Sequence, residues 1–151
     1  HNKLDIHTDE TGPRVINNSV GLAAVSMAFS VGAKAILVPT TSGRSARLVS
    51  NFRPSLPIIA VTHKPWAQRR MTVVWGVEPV LDEGAAGDVA YVVDNAMRIA
   101  ERMDVIKEGD IAVITVGDPR TSVILPDGLY STNVVYVSQV RAEGSVVRET
   151  Y

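Results

Sequence analysis

A three-layer αβα sandwich, with a mostly parallel five-stranded sheet whose last strand is antiparallel, is the α/β fold class that the sequence predicts. Three observations carry that expectation. Apolar runs at residues 35–38 (AILV) and 58–61 (IIAV), and at 111–116 (IAVITV) with only Thr115 polar, have strand length and no polar face, as in sheets covered on both sides. Stretches with helical spacing lie between them, the alternation of a parallel sheet. The final apolar run follows a long loop with no helix in it, so it is expected to turn back beside its predecessor.

Taken in order, residues 17–31 place Val20, Ala24, Met27 and Val31 on one helical face, and Gly32 follows as a C-terminal cap. After strand 35–38, Ala46, Val49 and Phe52 give a short amphipathic helix that stops before Pro54. Strand 58–61 completes a βαβ unit with an expected right-handed crossover. Residues 64–70 read as a short helix with Pro65 at its first position, and either 72–75 or 77–81 supplies a third strand. The clearest helix lies in 87–103, where Val89, Val92, Val93, Ala96, Ala100 and Met103 share one stripe. Strands 111–116 and 133–140 flank the long loop 117–132.

The 151 residues suffice for one domain with a sizeable core. Residues 1–16 are expected to be a polar lead, a tag remnant or linker, and 17–151 the folded domain. A chain that opens on His1 instead of methionine suggests an excised domain or a tag. With 46% hydrophobic and 21% charged residues the composition is that of a globular protein. A formal charge of −1 gives no global attraction to nucleic acid or an anionic membrane, so neither is an expected partner and anion binding must be local. Without cysteine there are no disulfides, thiolate nucleophiles or cysteine-bound zinc. No run reaches the roughly 18 apolar residues of a membrane span, no secretory signal opens the chain, and the cytoplasm is the expected location.

The chemistry concentrates after the first strand, in VPTTSGRSARLVSNFRP. In open α/β sheets, ligands bind beyond the carboxyl ends of the strands. There Thr40, Thr41, Ser42, Gly43, Arg44 and Ser45 form a hydroxyl-rich turn into a helix. A helix start offers unpaired N–H groups and partial positive charge, hydroxyls add donors, and Gly43 lets the backbone approach a bulky anion. A plainer reading is that Thr41 or Ser42 only caps the helix. Arg44 and Arg47 fall in its first turns, where a cation is disfavoured by about 0.3–1 kcal/mol unless an anion compensates; otherwise they point to solvent or pair with acidic neighbours. The loop has one glycine and no following lysine, so it is not the nucleotide-hydrolysing phosphate loop.

GAKAILVPTTSGRSARLVSNFRPSLPIIAVT, the Arg-rich Gln68, Arg69 and Arg70, WGVEPVL, KEGDIAVITVGDP and the STN before the final strand together resemble the C-terminal domain of pyruvate kinases. The resemblance covers most of residues 32–140. It implies a regulatory domain of a glycolytic enzyme that binds a phosphorylated effector, a sugar phosphate or nucleoside monophosphate. The hydroxyls of Thr40, Thr41, Ser42 and Ser45 and the Gly43 amide would hold the phosphate. It further implies a homo-oligomer and a separate catalytic barrel that uses magnesium and potassium ions, with no catalytic residue, metal or cofactor in this domain. GDPRTSVILPDGLYSTN departs from the family's compact Gly-Thr-Thr-Asn turn, which closes over the ligand. Arg120 in that loop is a candidate for a second anionic group. Lys64 and Trp66, beside the expected ligand edge, are candidate anion and sugar contacts, although Trp66 can equally pack.

Two other readings remain open on residues alone. The domain could chiefly supply a subunit interface, through its opening helix and residues 134–140, with a vestigial effector loop. Or it could be a small enzyme acting on phosphorylated substrates with His63 or Lys64 as catalyst, for which no orienting third group is evident. Asp82, Glu83 and Asp94 read as solvated turn and helix positions.

Overall fold

A computed structural model describes residues 13–126, 128, 129 and 131–142. Its elements are α1 (Pro13–Ser30), β1 (Ala35–Pro39), α2 (Arg44–Asn51), β2 (Ile58–Thr62), α3 (Pro65–Met71), β3 (Val77–Leu81), a 3-10 turn (Glu83–Ala85), α4 (Val89–Arg102), β4 (Ile111–Val116) and β5 (Val134–Gln139).

Strand side chains alternate, so an unbroken apolar strand must be covered on both faces. Ala35 and Leu37 of β1 point to one side, where they join Ile59, Val61 and Ile114 beneath Ala96, Ile99 and Ala100 of α4. Ile36 and Val38 point to the other, with Ile58, Ala60 and Val113. That second face is roofed by Ala24 and Ala28 of α1, Ala46 and Val49 of α2, and Ala67 and Met71 of α3. Three helices, the sheet and one helix make the three layers.

The sheet runs β3-β2-β1-β4-β5. β1 pairs in parallel with both β2 and β4, β2 with β3 likewise, and β4 with β5 is antiparallel. The expected architecture is therefore observed, and its physical reason is the one anticipated: every parallel step is bridged by a helix, whereas β4 and β5 are joined by a loop without one.

Local chemistry explains the boundaries. α1 starts at Pro13, one turn before the expected Asn17, because proline suits the first helical position. The polar lead expected over residues 1–16 falls mostly outside the described residues, and its last positions form that first turn. α1 ends as anticipated at Gly32, where Ala33 N–H donates to Ala28 O at 2.9 Å and Gly32 N–H to Phe29 O at 3.4 Å, a double-bonded helix stop. Of the two candidates for the third strand, 77–81 is the strand; it sits at the sheet edge, where Pro79 is tolerated. α4 runs from Val89 to Arg102, inside the expected 87–103, and the Asp88 carboxylate caps it by accepting from Tyr91 N–H at 3.0 Å.

Leu37 is fully buried at the centre of β1. Leu37→Ala should lower the unfolding free energy by about 2–5 kcal/mol in urea denaturation, and a loss below about 1 kcal/mol would contradict a packed central strand.

Candidate functional site

In the order β3-β2-β1-β4-β5 the chain builds outward from β1 through β2 to β3, then returns over the sheet to place β4 on β1's other side. β1 and β4 are thus the adjacent strands from which connections leave in opposite directions, where open α/β sheets leave a crevice beyond their carboxyl ends. A cavity of about 340 Å³ lies there, within the usual range for small-ligand sites. Pro39 and the turn after β1 form one wall, and Val116 and Gly117 at the end of β4 form the next.

The turn is built from its backbone outward. Thr40 N–H donates to Val61 O at 2.8 Å, so the chain is still held to β2 as it leaves β1. Gly43 then adopts φ 89° and ψ −2°, and α2 begins. Gly43 is buried against α3: a Cβ there would lie 2.9 Å from Met71 Cγ. Glycine is therefore required twice, by its left-handed backbone and by that approach. Thr40 Oγ1 accepts from Gly43 N–H at 3.0 Å and Ser42 Oγ accepts from Arg44 N–H at 3.3 Å. The N-cap residue is Gly43 itself, which brings no side-chain bond, so neither Thr41 nor Ser42 occupies the cap position weighed from sequence. The amides of Ser45 and Ala46 have no carbonyl one turn back within the helix. The first turn carries no acidic residue.

A polar seam lies behind this turn. Ser45 Oγ and Thr132 Oγ1 are 2.5 Å apart, and Thr132 N–H donates to Asn17 Oδ1 of α1 at 2.8 Å. Thr132 ends the long loop, whose base is clamped by Asn133 and Asp118. Asn133 Oδ1 accepts from Asp118 N–H at 2.9 Å and its amide donates to Thr121 Oγ1 at 3.0 Å. At Gly117 a Cβ would meet Ser131 O at 2.8 Å, so the two ends of the loop close only around glycine. Folded back, the loop presents Pro119, Leu125 and Leu129 to the cavity. The wall opposite the turn consists of Ala85, the last residue of the 3-10 turn, Ala86 after it, and Val89 and Val92 of α4.

The structure therefore gathers Thr40, Thr41, Ser42, Arg44 and Ser45 on one cavity, with Gly43 buried beneath it. Arg47 is exposed. Lys64, Trp66 and Arg120 do not line the cavity. Lys64 precedes α3, and Trp66 is exposed with the Arg70 guanidinium 5.8 Å from its ring centre. Arg120 is exposed and turns back to Asp118, with 3.2 Å between Nη2 and Oδ2. Its side-chain hydrogen bond, followed by its backbone N–H, holds the Asp118 carboxyl below the usual carboxylate value. His63 is half-buried, and its Nδ1 has no hydrogen-bond partner. Asp94 pairs with Arg98 on the surface of α4, as a solvated helix position would.

Asp82 is not the solvated turn position expected from sequence: its Oδ2 accepts from Gly84 N–H at 2.8 Å and Asn95 Nδ2 at 2.9 Å, fixing the turn that forms the apolar wall. Sequence reasoning missed Asn17, whose partner is distant in sequence. The STN tripeptide was the signal available for Thr132 and Asn133.

The family model described as pyruvate kinase, alpha/beta domain, matches residues 18–137. Pyruvate kinase of Staphylococcus aureus (strain USA300) is 36% identical over 102 residues, 68% of this chain and 17% of that protein. Pyruvate kinase of Sporosarcina psychrophila is 30% identical over 104 residues, 69% of this chain and 18% of that protein. This chain thus spans less than a fifth of the length of these curated relatives. Among solved structures, Cryptosporidium parvum pyruvate kinase in complex with ADP aligns with a TM-score of 0.71 at 30% identity, over 89% of this chain and 25% of that one. Another crystal structure of a pyruvate kinase from that organism gives 0.70 at 27% identity, over 87% and 23%.

Two outcomes follow from the geometry. Gly43→Ala should destabilise the chain by about 1–2 kcal/mol in thermal or urea unfolding, from the left-handed backbone alone, with Met71 adding to it; an unchanged midpoint would refute the described turn. The ionised Asp118 accepts the bonds of Arg120, and its folded pKa lies below the ordinary 3.8. Its contribution is therefore present above that value and lost as pH falls through the lowered folded pKa. In amide NMR, the Arg120 N–H should keep its neutral-pH shift until below the ordinary carboxylate range and lose that acid step in Asp118→Asn; titration at or above 3.8 would contradict the pairing.

Proposed function

This chain belongs to the pyruvate kinase alpha/beta domain family, and we propose that it is the regulatory domain of a pyruvate kinase, binding a phosphorylated effector at Thr40, Thr41, Ser42, Arg44 and Ser45, on a turn whose path is set by the buried Gly43. The observation that carries this reading is the convergence of four hydroxyls, an arginine and a helix start free of acidic residues on one cavity at the switch point of the sheet. A phosphate there would accept from the amides of Ser45 and Ala46 and from the hydroxyls, and charge-assisted bonds of this kind contribute about 1.5–3 kcal/mol each. Binding that favours one state of the whole enzyme over another would then shift its activity.

Catalysis belongs to a barrel domain outside these residues, with its magnesium and potassium ions. Among the described residues no group of three or more His, Asp or Glu is placed to hold a metal ion. No helix of the described residues is long and apolar enough to cross a membrane.

A second role, subunit assembly, is supported by a separate observation. β5 is an edge strand, and its Tyr136 and Val137 are exposed. An unpaired apolar edge is a template for pairing with another strand, here that of a second copy. Val137→Lys should shift the molecular mass in light scattering toward monomer; a mass that is monomeric before the substitution would remove this role from the isolated domain.

For the effector site, melting should be followed with sugar phosphates, AMP and inorganic phosphate. A ligand at about 100 times its dissociation constant adds roughly 2.7 kcal/mol of stability, a shift of several degrees. Ser42→Asp sets a carboxylate against the phosphate and should abolish that shift. No shift with any of the compounds, or an unchanged shift in the variant, would sink the proposal.

A further inference from the structure

Behind the turn at residues 40–45 lies a buried hydroxyl without a partner, and its place ties it to the cavity. Resting on the phosphate-site reading above, we infer that Thr115 of β4 is a positioning residue for the bound anion. It does not touch the ligand. It closes a chain of hydroxyls, from Thr115 through Thr132 to Ser45, that is complete only when an anion occupies the cavity.

The first ground is the state of Thr115 itself. It follows Val113 on the face of β4 that α1 and α2 cover. It is 1% exposed, and its Oγ1 has no hydrogen-bond partner. An enclosed hydroxyl left unpaired is costly, so its presence calls for a state in which it is paired. Water does not supply one, because the narrow void in front of Thr115 has no room for a water molecule.

The second ground is what separates that void from the cavity. Asn17, Ser45 and Thr132 line the cavity on one side and the void on the other. They are also joined to one another, with Ser45 Oγ 2.5 Å from Thr132 Oγ1 and the Thr132 N–H donating to Asn17 Oδ1 at 2.8 Å. A single polar layer thus stands between Thr115 and an anion on the turn. Whatever reorders that layer reaches Thr115.

The third ground is the direction of the hydrogen bonds. Between Ser45 and Thr132 either hydroxyl can donate. Ser45 is half-buried on the first turn of α2, whereas Thr132 is only 8% exposed, so Ser45 is the one that faces an anion. An anion only accepts. Once the Ser45 hydroxyl donates to it, the shared bond must run from Thr132 to Ser45, and the Thr132 oxygen keeps lone pairs but has no proton left to give. The hydroxyl across the void, that of Thr115, has a proton and needs an acceptor. No proton leaves its oxygen in this ordering; the hydroxyls only turn, and each bond of the chain strengthens the next. As Thr115 joins, the void narrows and draws the end of the long loop, with Asn17 of α1 attached to it, toward β4.

The test is calorimetric titration of this chain and of Thr115→Val with inorganic phosphate, AMP and glucose 6-phosphate, beside the melting of both without ligand. Valine keeps the shape of threonine and lacks the hydroxyl, so the variant without ligand loses an unpaired polar atom and no bond, and should melt no lower than the unaltered chain. Every compound that the unaltered chain binds should bind the variant about three- to tenfold more weakly, the net worth of one neutral hydrogen bond. That factor should be the same for each compound, because the hydroxyl chain reaches only the phosphate. Thr115→Ser keeps the hydroxyl and gives up a buried methyl; it should melt lower yet bind within about twofold of the unaltered chain. Unchanged affinity in Thr115→Val, or a lower melting point for that variant without ligand, would overturn this inference and leave the phosphate site standing. No binding of any of the three compounds to the unaltered chain would remove the site and the inference together.

Discussion

Everything in this fold depends on burying β1 on all sides. Its residues 35–38 are fully enclosed, by neighbours on both edges and by helices on both faces. A strand enclosed in this way can be left only at its ends. Its carboxyl end then lies between a connection that goes to β2 and the strand β4 that arrives from the other side. The crevice at residues 40–45 and 116–117 is therefore a consequence of core packing. The turn placed there inherits its rigidity from the most buried part of the molecule.

The same constraint divides the cavity into two unlike halves. The half formed by the turn is made of backbone and hydroxyls because a helix start must be satisfied there. The facing half is made of apolar side chains because α4 has to cover the sheet, and Val89 and Val92 continue its core stripe up to the rim. Among the described residues, the long loop adds Leu125 and Leu129 to the apolar half.

Much of this was legible in the sequence because it is local. Four-residue apolar runs bounded by turn residues suit strands buried on both faces, a helix-free connection favours an antiparallel neighbour, and Gly32 and Pro65 mark helix ends. The turn residues 40–45 were legible for the same reason, since hydroxyls, glycine and a helix start are adjacent in the chain. What was illegible depends on distant partners. Asn17 reads as one more polar residue on a helix until Thr132 is brought to it from 115 positions away. Asp82 reads as a solvated turn until Asn95 and Gly84 close on it. Arg120 reads as a free cation until the loop curls and returns it to Asp118. In each case tertiary closure assigned the polar group a partner that spacing could not reveal.

The contact between Ser45 and Thr132 shows why the cavity and the rest of the domain cannot vary independently. Two hydroxyls joined by one hydrogen bond have two protons, and the bond uses one. The other remains for an acceptor in the cavity, so an anion can be bound without first breaking the link. That link also holds the long loop, because Thr132 ends it, and α1, because the Thr132 amide is taken by Asn17. An anion that recruits the spare proton polarises the shared bond and strengthens it, since hydrogen bonds in a chain reinforce one another. Occupancy at α2 would thereby be felt at the loop that walls the cavity and at the helix that roofs the sheet, through three named side chains and one amide.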